Sequence, residues 1–304
     1  MSGFATTDEL HPARPMEGVR RAPIPDRPTR ADPAYVLDRS EFETRRLMVQ
    51  AELFGQFTRR FLEDAGLTRD MRVLDVGSGA GDVAFIAADI VGPTGAVVGV
   101  DVDPSILATA RARAQEGGGD NVVFVEGDCR ASAIDGDFDA VVGRFVLMFV
   151  SDVAEALRSL VGRVRPGGVV AFAEGDFTPA LGYVHAGASE LHRSSWEWAA
   201  EAFRCVGAHC AMAPILCRAF IEAGLGEPHM VLHAPLGCRP DWAGYGWLAE
   251  SVRSLLPVLE KFGVVAGEVV DVATLADRLR SEAVRNGFPL MMEPVVGAWA
   301  RKAE

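Results

Sequence analysis

Apolar and polar positions follow two alternating patterns between residues 69 and 177 of this chain. Short apolar runs bounded by glycine or charged residues are typical of buried strands, whereas the segments between them have the spacing of helices that pack on a sheet. The predicted strands are at about 72–76, 96–101, 122–126, 138–143 and 169–174, and the helices at about 82–91, 104–116 and 152–163. This alternation predicts a parallel α/β sheet that is covered on both faces.

The segment before this alternation has a different pattern. Apolar residues recur at helical spacing over residues 35–68, and Ser40 with Glu43 has the form of a capping box. We therefore predict an N-terminal helical lid over 35–68. Residues 1–34 contain six prolines and little apolar periodicity, which predicts a flexible N-terminal tail.

Helical spacing also dominates beyond residue 177. Residues 178–212 are predicted to form a helical insertion, the substrate cap, whose main helix is capped by Ser194 or Ser195. Residues 213–304 are predicted to complete the core, with a helix at about 213–223, strands at about 229–235 and 294–301, and a second helical insertion at about 240–288. We expect the two insertions to cover the active site.

The first predicted strand ends in a glycine-rich turn, with glycines at positions 77, 79 and 81 before a helix that begins at Asp82. Glycine lets the backbone turn sharply and approach a ligand, and the helix adds free N–H groups and partial positive charge. A dinucleotide-binding loop has its third glycine where this chain has Asp82. Because Asp82 would repel a pyrophosphate, the turn argues against a nicotinamide oxidoreductase.

Asp101 ends the second predicted strand, twenty residues after Gly81. An acidic residue at this point is placed to accept hydrogen bonds from both hydroxyls of a ribose. Together with the glycine-rich turn, Asp101 predicts the binding of a nucleoside that carries no pyrophosphate.

In these motifs the chain resembles the class I S-adenosylmethionine-dependent methyltransferases. The segments that carry the resemblance are 75–81, 99–103, 125–129, 138–142 and 165–168. The resemblance implies a Rossmann-like, seven-stranded, mostly parallel sheet with helical insertions that form a cap over the active site. It also implies that residues 69–177 bind S-adenosylmethionine as cofactor, with S-adenosylhomocysteine as product.

The same resemblance implies which residues bind the cofactor. Asp75 and the glycine-rich turn would face the methionine end, while Asp101 would bind the ribose hydroxyls. Val102 would pack beside the adenine, Asp128 would accept from its amine, and the Cys129 N–H would donate to its ring. The full predicted set is Asp75, Gly77, Ser78, Gly79, Gly81, Asp101, Val102, Asp128, Cys129 and Arg144.

Three further polar residues are candidates for a role in the site. Arg144 follows the fourth strand and either closes on the cofactor's carboxylate or pairs with a nearby acid. Glu174 ends the fifth strand, where burial would suit it as a general base, although acids at strand ends are also common turn residues. His192 in the first insertion is a second candidate base, with a solvent-facing histidine as the alternative.

Charge and cysteine content limit the partners. The 304 residues carry a formal charge of −12, which would repel nucleic acids and anionic membranes and so favours a small-molecule acceptor. The five cysteines form no CxxC pair, so neither a disulfide scaffold nor a metal site is predicted.

The sequence shows no apolar run of membrane-spanning length and no signal-peptide core, so we expect a cytoplasmic protein. A homo-oligomer would form through the N-terminal segment or the helical insertions.

These observations predict an S-adenosylmethionine-dependent methyltransferase that acts on an O, N or C atom of a small, largely apolar metabolite in secondary metabolism. Trp196, Trp198, Phe203 and Met212 either line the acceptor pocket or are plain core residues. One alternative is an isoprenoid (prenyl diphosphate) C-methyltransferase with Glu174 as base. Another is a non-catalytic S-adenosylmethionine-binding regulatory protein.

Overall fold

The computed structural model of the protein describes residues 41–117, 119–128, 137–265 and 270–304, and only the backbone at 41–49, 51 and 52. The predicted tail and the capping box at Ser40 lie outside these descriptions. No helix in the described ranges is both long and apolar enough to cross a membrane.

A seven-stranded sheet is the centre of the described structure. The strands in chain order are β1 (Arg72–Val76), β2 (Ala96–Asp101), β3 (Val122–Glu126), β4 (Phe138–Arg144), β5 (Val164–Gly175), β6 (His229–His233), β7 (Leu236–Gly237), β8 (Leu290–Met291) and β9 (Val295–Arg301). The sheet order is β3-β2-β1-β4-β5-β9-β6, while β7 and β8 form a separate ribbon. Strand β9 is antiparallel to both neighbours, and the β1 to β5 pairings are parallel. The predicted fold class is confirmed.

Helices cover the sheet and the region above its carboxyl edge. They are α1 (Glu41–Ala65), α2 (Asp82–Val91), α3 (Pro104–Gly117), α4 (Val153–Val161), α5 (Phe177–His185), α6 (Glu190–Cys205), α7 (Met212–Glu222), α8 (Gly244–Lys261) and α9 (Leu275–Asn286), with a 3₁₀ turn at Leu147–Phe149. The central strands are buried as covered parallel strands should be, with Val73, Val141 and Val170 fully inaccessible. Helix α8 packs against α1, α6 and α9.

The chain order places a crevice between β1 and β4. From β1 the chain moves outward to β2 and β3, and β4 then returns to the other side of β1. Ligands of open α/β sheets bind beyond the carboxyl ends of strands at such a reversal. The predicted cofactor residues lie at or just beyond the ends of β1, β2, β3 and β4.

The first insertion differs from its prediction. It contains two helices, and α6 begins after Ser189, whose hydroxyl accepts the His192 N–H at 3.2 Å. The prediction of a cap at Ser194 or Ser195 is wrong, because both residues lie inside α6 and the Ser195 hydroxyl donates to the Leu191 carbonyl at 2.8 Å. A capping serine and a serine inside a helix have the same local sequence signal.

Candidate functional site

The glycine-rich turn connects β1 to α2 through left-handed backbone. Gly77 and Gly79 have φ angles of 65° and 50°, which a residue with a Cβ adopts only at a cost. A Cβ on Gly77 would lie 2.6 Å from Cγ2 of Val146, whereas a Cβ on Gly79 would meet nothing within 4 Å. Gly77 therefore permits close packing inside the protein, and Gly79 faces space that a ligand can enter.

Asp101 is linked to the glycine-rich turn by its carboxylate. Its Oδ2 accepts the Gly79 N–H at 2.9 Å, and its Oδ1 accepts the Asp103 N–H at 3.0 Å. A carboxylate offers about four acceptor positions, so both oxygens retain capacity for hydroxyl donors. The end of β2 and the turn after β1 thus form one hydrogen-bonded unit.

Asp75 is fully buried near the carboxyl end of β1. Within the described residues neither carboxylate oxygen accepts a hydrogen bond, and the hydroxyl of Ser78 in the adjoining turn also lacks a partner there. Burial raises the pKa of Asp75 well above its usual value, against the lowering effects of the Arg144 charge and of the nearby Ala84 N–H, which does not reach hydrogen-bond geometry. Such a carboxylate is suited to a cationic ligand, which would add to the counter-charge of Arg144.

The predicted adenine side is described only in part. Val102 is 65% exposed just beyond β2, so its apolar surface is open to a ligand. Asp128 is half-buried after β3, and Cys129 lies outside the described residues.

Arg144 joins the sheet to helix α1. Its Nη1 donates to the Thr58 hydroxyl at 2.6 Å, and its Nη2 lies 3.7 Å from the Asp82 carboxylate. Asp82 also pairs with Arg113 at 2.7 Å. The pairing with a nearby acid that the sequence left open is therefore present. The charge of Asp82 is compensated within the protein, which corrects the argument that Asp82 by itself repels a pyrophosphate.

The Glu174 carboxylate is engaged by the turn that follows β4. It accepts the backbone N–H groups of Val146 at 3.3 Å, Leu147 at 3.0 Å and Met148 at 3.2 Å. Burial raises the pKa of Glu174 to about 7, against the lowering effect of these hydrogen bonds. Both oxygens are directed at the backbone, so the geometry favours Glu174 as a positioning residue and does not support a general base.

Two further carboxylates lie at the end of β5. Asp176 caps α5 by accepting the Thr178 N–H at 2.9 Å, and its other oxygen accepts the Ala213 N–H at 2.9 Å. Glu293, which sequence reasoning missed, is buried against Gly175, where a Cβ would overlap its carboxylate. The only feature of the sequence that could have indicated Glu293 is an acidic residue just before the apolar last strand.

His192 is 4% exposed, so the alternative of a solvent-facing histidine is wrong. Its ring lies 6.4 Å from that of Tyr183 and 6.1 Å from that of Phe288. Burial lowers the pKa of His192 to about 4, and its Nε2 has no hydrogen-bond partner among the described residues. The imidazole is therefore neutral at physiological pH.

Buried aromatic rings connect α1 to the two insertions. We call this set the aromatic row, and it comprises Phe54, Trp247, Trp196, Phe177 and Phe203. Trp196 and Phe203 were candidates for an acceptor pocket, and the structure places both in this row. Trp198 is half-buried outside the row, and Met212 is fully buried.

Known proteins share this sequence in part. The chain is 39% identical over 118 residues to the ubiquinone/menaquinone biosynthesis C-methyltransferase UbiE of Ectopseudomonas mendocina, an alignment that covers 38% of this chain and 45% of the relative. The UbiE protein of Hahella chejuensis is 28% identical over 153 residues, covering 50% of this chain and 61% of the relative. The chain thus spans about half the length of these curated relatives.

Solved structures share the fold. The YcgJ protein of Bacillus subtilis superimposes with a TM-score of 0.53 at 16% identity, over 82% of this chain and 99% of that one. Phosphoethanolamine N-methyltransferase 2 of Haemonchus contortus, solved with S-adenosylhomocysteine, gives a TM-score of 0.50 at 17% identity, over 82% of this chain and 53% of that one. Residues 67–227, more than half of the chain, match the family described as "Methyltransferase domain". The chain therefore belongs to the class I S-adenosylmethionine-dependent methyltransferase family.

Proposed function

We propose that this chain transfers a methyl group from S-adenosylmethionine to an O, N or C atom of a small, largely apolar acceptor and releases S-adenosylhomocysteine. The observation that carries the proposal is the Asp75 carboxylate, which is fully buried and has no hydrogen-bond partner among the described residues. The ammonium group of the cofactor's methionine end provides the counter-charge that this carboxylate needs.

The other residues at the strand ends fit the remaining parts of the cofactor. Asp101 is fixed by two backbone N–H groups and retains acceptor capacity for the ribose hydroxyls. Val102 presents apolar surface to the adenine, and Asp128 is the proposed acceptor for its amine. Bound S-adenosylmethionine supplies a methyl group that its sulfonium charge already activates, so alignment and exclusion of water account for much of the catalysis.

The acceptor side supports a largely apolar molecule. The aromatic row supplies ring surfaces above the carboxyl edge of the sheet, which suits an apolar acceptor. His192 is the proposed base, because its neutral ring has an Nε2 with no partner in the described part of the chain, and a pKa of about 4 makes it a weak base. The isoprenoid alternative with Glu174 as base is not favoured, because backbone N–H groups occupy that carboxylate.

Biological context is part of the proposal. The names of the curated relatives add a quinone-pathway ring to the candidate acceptors, but those alignments cover half of this chain or less. We also propose a cytoplasmic role in secondary metabolism and a homo-oligomer formed through the N-terminal segment or the helical insertions.

Calorimetry with S-adenosylhomocysteine tests the proposal. We expect binding to the wild-type protein, and about 10- to 100-fold weaker binding to Asp75→Asn, because one charge-assisted hydrogen bond is lost. Asp152→Asn is the control, since asparagine caps α4 as well as aspartate does and lies outside the site. Tight binding of NADH with none of S-adenosylhomocysteine would overturn the proposal. Binding without methyl transfer to any member of a broad acceptor panel would favour a non-catalytic regulatory protein.

A further inference from the structure

Trp247 lies in the first turn of α8, between the lid helix α1 and the insertion helix α6. Its side chain is 3% exposed. Its ring centroid is 6.3 Å from that of Phe54 in α1 and 6.4 Å from that of Trp196 in α6. Trp247 is thus the ring of the aromatic row at which α1 and the two insertions meet.

The indole N–H of Trp247 has no acceptor among the described residues. The neighbouring Trp196 differs, because its Nε1 donates to the Met291 carbonyl at 3.2 Å. Buried indole N–H groups nearly always find a partner, so an unpaired one needs an explanation. A single bound water does not explain the indole N–H well, because a buried water requires two to four polar partners. The two side chains that flank Trp247, Phe54 and Trp196, are aromatic rings.

Trp247 is close to the turn that borders the cofactor loop. Phe54, its neighbour in α1, also contacts Phe145 at 5.7 Å between ring centroids. Phe145 directly follows β4 with a φ angle of 58°, a strained conformation for a bulky residue, and Val146 packs on Gly77. Two aromatic contacts, through Phe54, therefore connect Trp247 to the turn at the carboxyl edge where the methyl group would be delivered.

We propose that the Nε1 of Trp247 donates a hydrogen bond to an oxygen of the methyl acceptor and so determines specificity. The inference rests on the proposed methyl transfer, since it assigns a residue to the acceptor site. An indole N–H is a donor only, so the acceptor must present a lone pair. The flanking rings carry no charge to compensate an ion, which favours an uncharged carbonyl or phenol oxygen on an apolar, ring-containing molecule.

Thermal unfolding of the ligand-free protein gives the first test, with Trp247→Phe and the matched control Trp196→Phe. Both variants remove the same atoms from a buried side chain, and Trp196→Phe in addition removes a hydrogen bond. Trp196→Phe leaves the Met291 carbonyl unpaired, and we expect its Tm to be lower than that of Trp247→Phe by about 3 °C. A Tm of Trp247→Phe equal to or below that of Trp196→Phe would show an internal acceptor and overturn the proposal.

Binding of 2-naphthol and naphthalene to protein saturated with S-adenosylhomocysteine gives the second test. We expect wild type and Trp196→Phe to bind 2-naphthol about 3- to 10-fold more tightly than naphthalene, and Trp247→Phe to show no preference. Absence of a preference in the wild type, binding of neither probe, or a preference that survives in Trp247→Phe overturns the inference. Failure of S-adenosylhomocysteine itself to bind would instead refute the proposed function, so the two failures are distinguishable.

Discussion

The Gly79 N–H donates a 2.9 Å hydrogen bond to the Asp101 carboxylate. This contact joins the glycine-rich turn after β1 to the end of β2. The second oxygen of Asp101 accepts the Asp103 N–H at 3.0 Å, so a backbone N–H holds each of the two carboxylate oxygens in place. Because its orientation is set within the protein, a ribose would bind without the cost of ordering this side chain.

Replacement of Asp101 should therefore weaken nucleoside binding strongly. Two charge-assisted hydrogen bonds to ribose are worth about 3 kcal/mol together, so Asp101→Ala should raise the Kd for S-adenosylhomocysteine about 100-fold in calorimetry. Asp103→Asn is the matched control, because Asp103 accepts from Ser105 at the start of α3. An unchanged Kd in Asp101→Ala would remove Asp101 from the ribose site.

The two glycines of the turn should respond differently to alanine. In Gly77→Ala the new methyl group would overlap Val146 and occupy left-handed backbone, so the free energy of unfolding should fall by about 3 kcal/mol. In Gly79→Ala the free energy of unfolding should fall only by the cost of left-handed backbone for alanine, about 1 kcal/mol. The new methyl group would, however, enter the space that we propose for the cofactor. Urea unfolding should separate the variants, and calorimetry should show weaker binding in Gly79→Ala. Equal loss of stability in both would contradict this assignment.

The Thr58 hydroxyl accepts a hydrogen bond from Arg144 and so links helix α1 to the sheet. Thr58→Val removes the acceptor of a buried guanidinium and should lower the free energy of unfolding by about 2 kcal/mol. Thr58→Ser retains the hydroxyl and is the control. If urea unfolding gives the same stability for both variants, the hydrogen bond between Thr58 and Arg144 contributes nothing to the free energy of unfolding.

Local sequence patterns predicted the strands and helices of the core well. Strands β1, β2 and β3 have the predicted bounds, because their apolar runs end at glycine or acidic residues. The pattern did not predict that β5 begins at Val164, since the pairing of Val164 with Phe138 depends on a register shift in β4. The serine pair Ser194–Ser195 also gave the wrong start for α6, which is capped by Ser189.

The acceptor side was less predictable because its contacts join distant parts of the chain. Glu174 is acidic at a strand end, and only the folded turn at Leu147 shows that backbone N–H groups bind its carboxylate. The burial of His192 and the lack of an acceptor for the Trp247 indole among the described residues arise in the same way, from packing between segments far apart in sequence. Neither hydrophobic periodicity nor motif spacing contains that information.

Glu174 should make stability depend on pH. Its pKa is about 7 in the folded protein against a usual 4.5, so the folded state binds the proton more tightly than the unfolded state. The stability that Glu174 contributes is therefore present below pH 4.5 and is lost as the pH rises to 7. The difference between the two pKa values corresponds to about 3 kcal/mol of stability. Glu174→Gln should lack this pH dependence, whatever constant cost the amide adds.

Urea unfolding between pH 4.5 and 8 should show the wild type losing stability relative to Glu174→Gln. Glu293→Gln should reduce the effect, because the Glu293 charge raises the pKa of Glu174. A difference between wild type and Glu174→Gln that stays constant over this range would show that the pKa of Glu174 is the same in the folded and the unfolded protein.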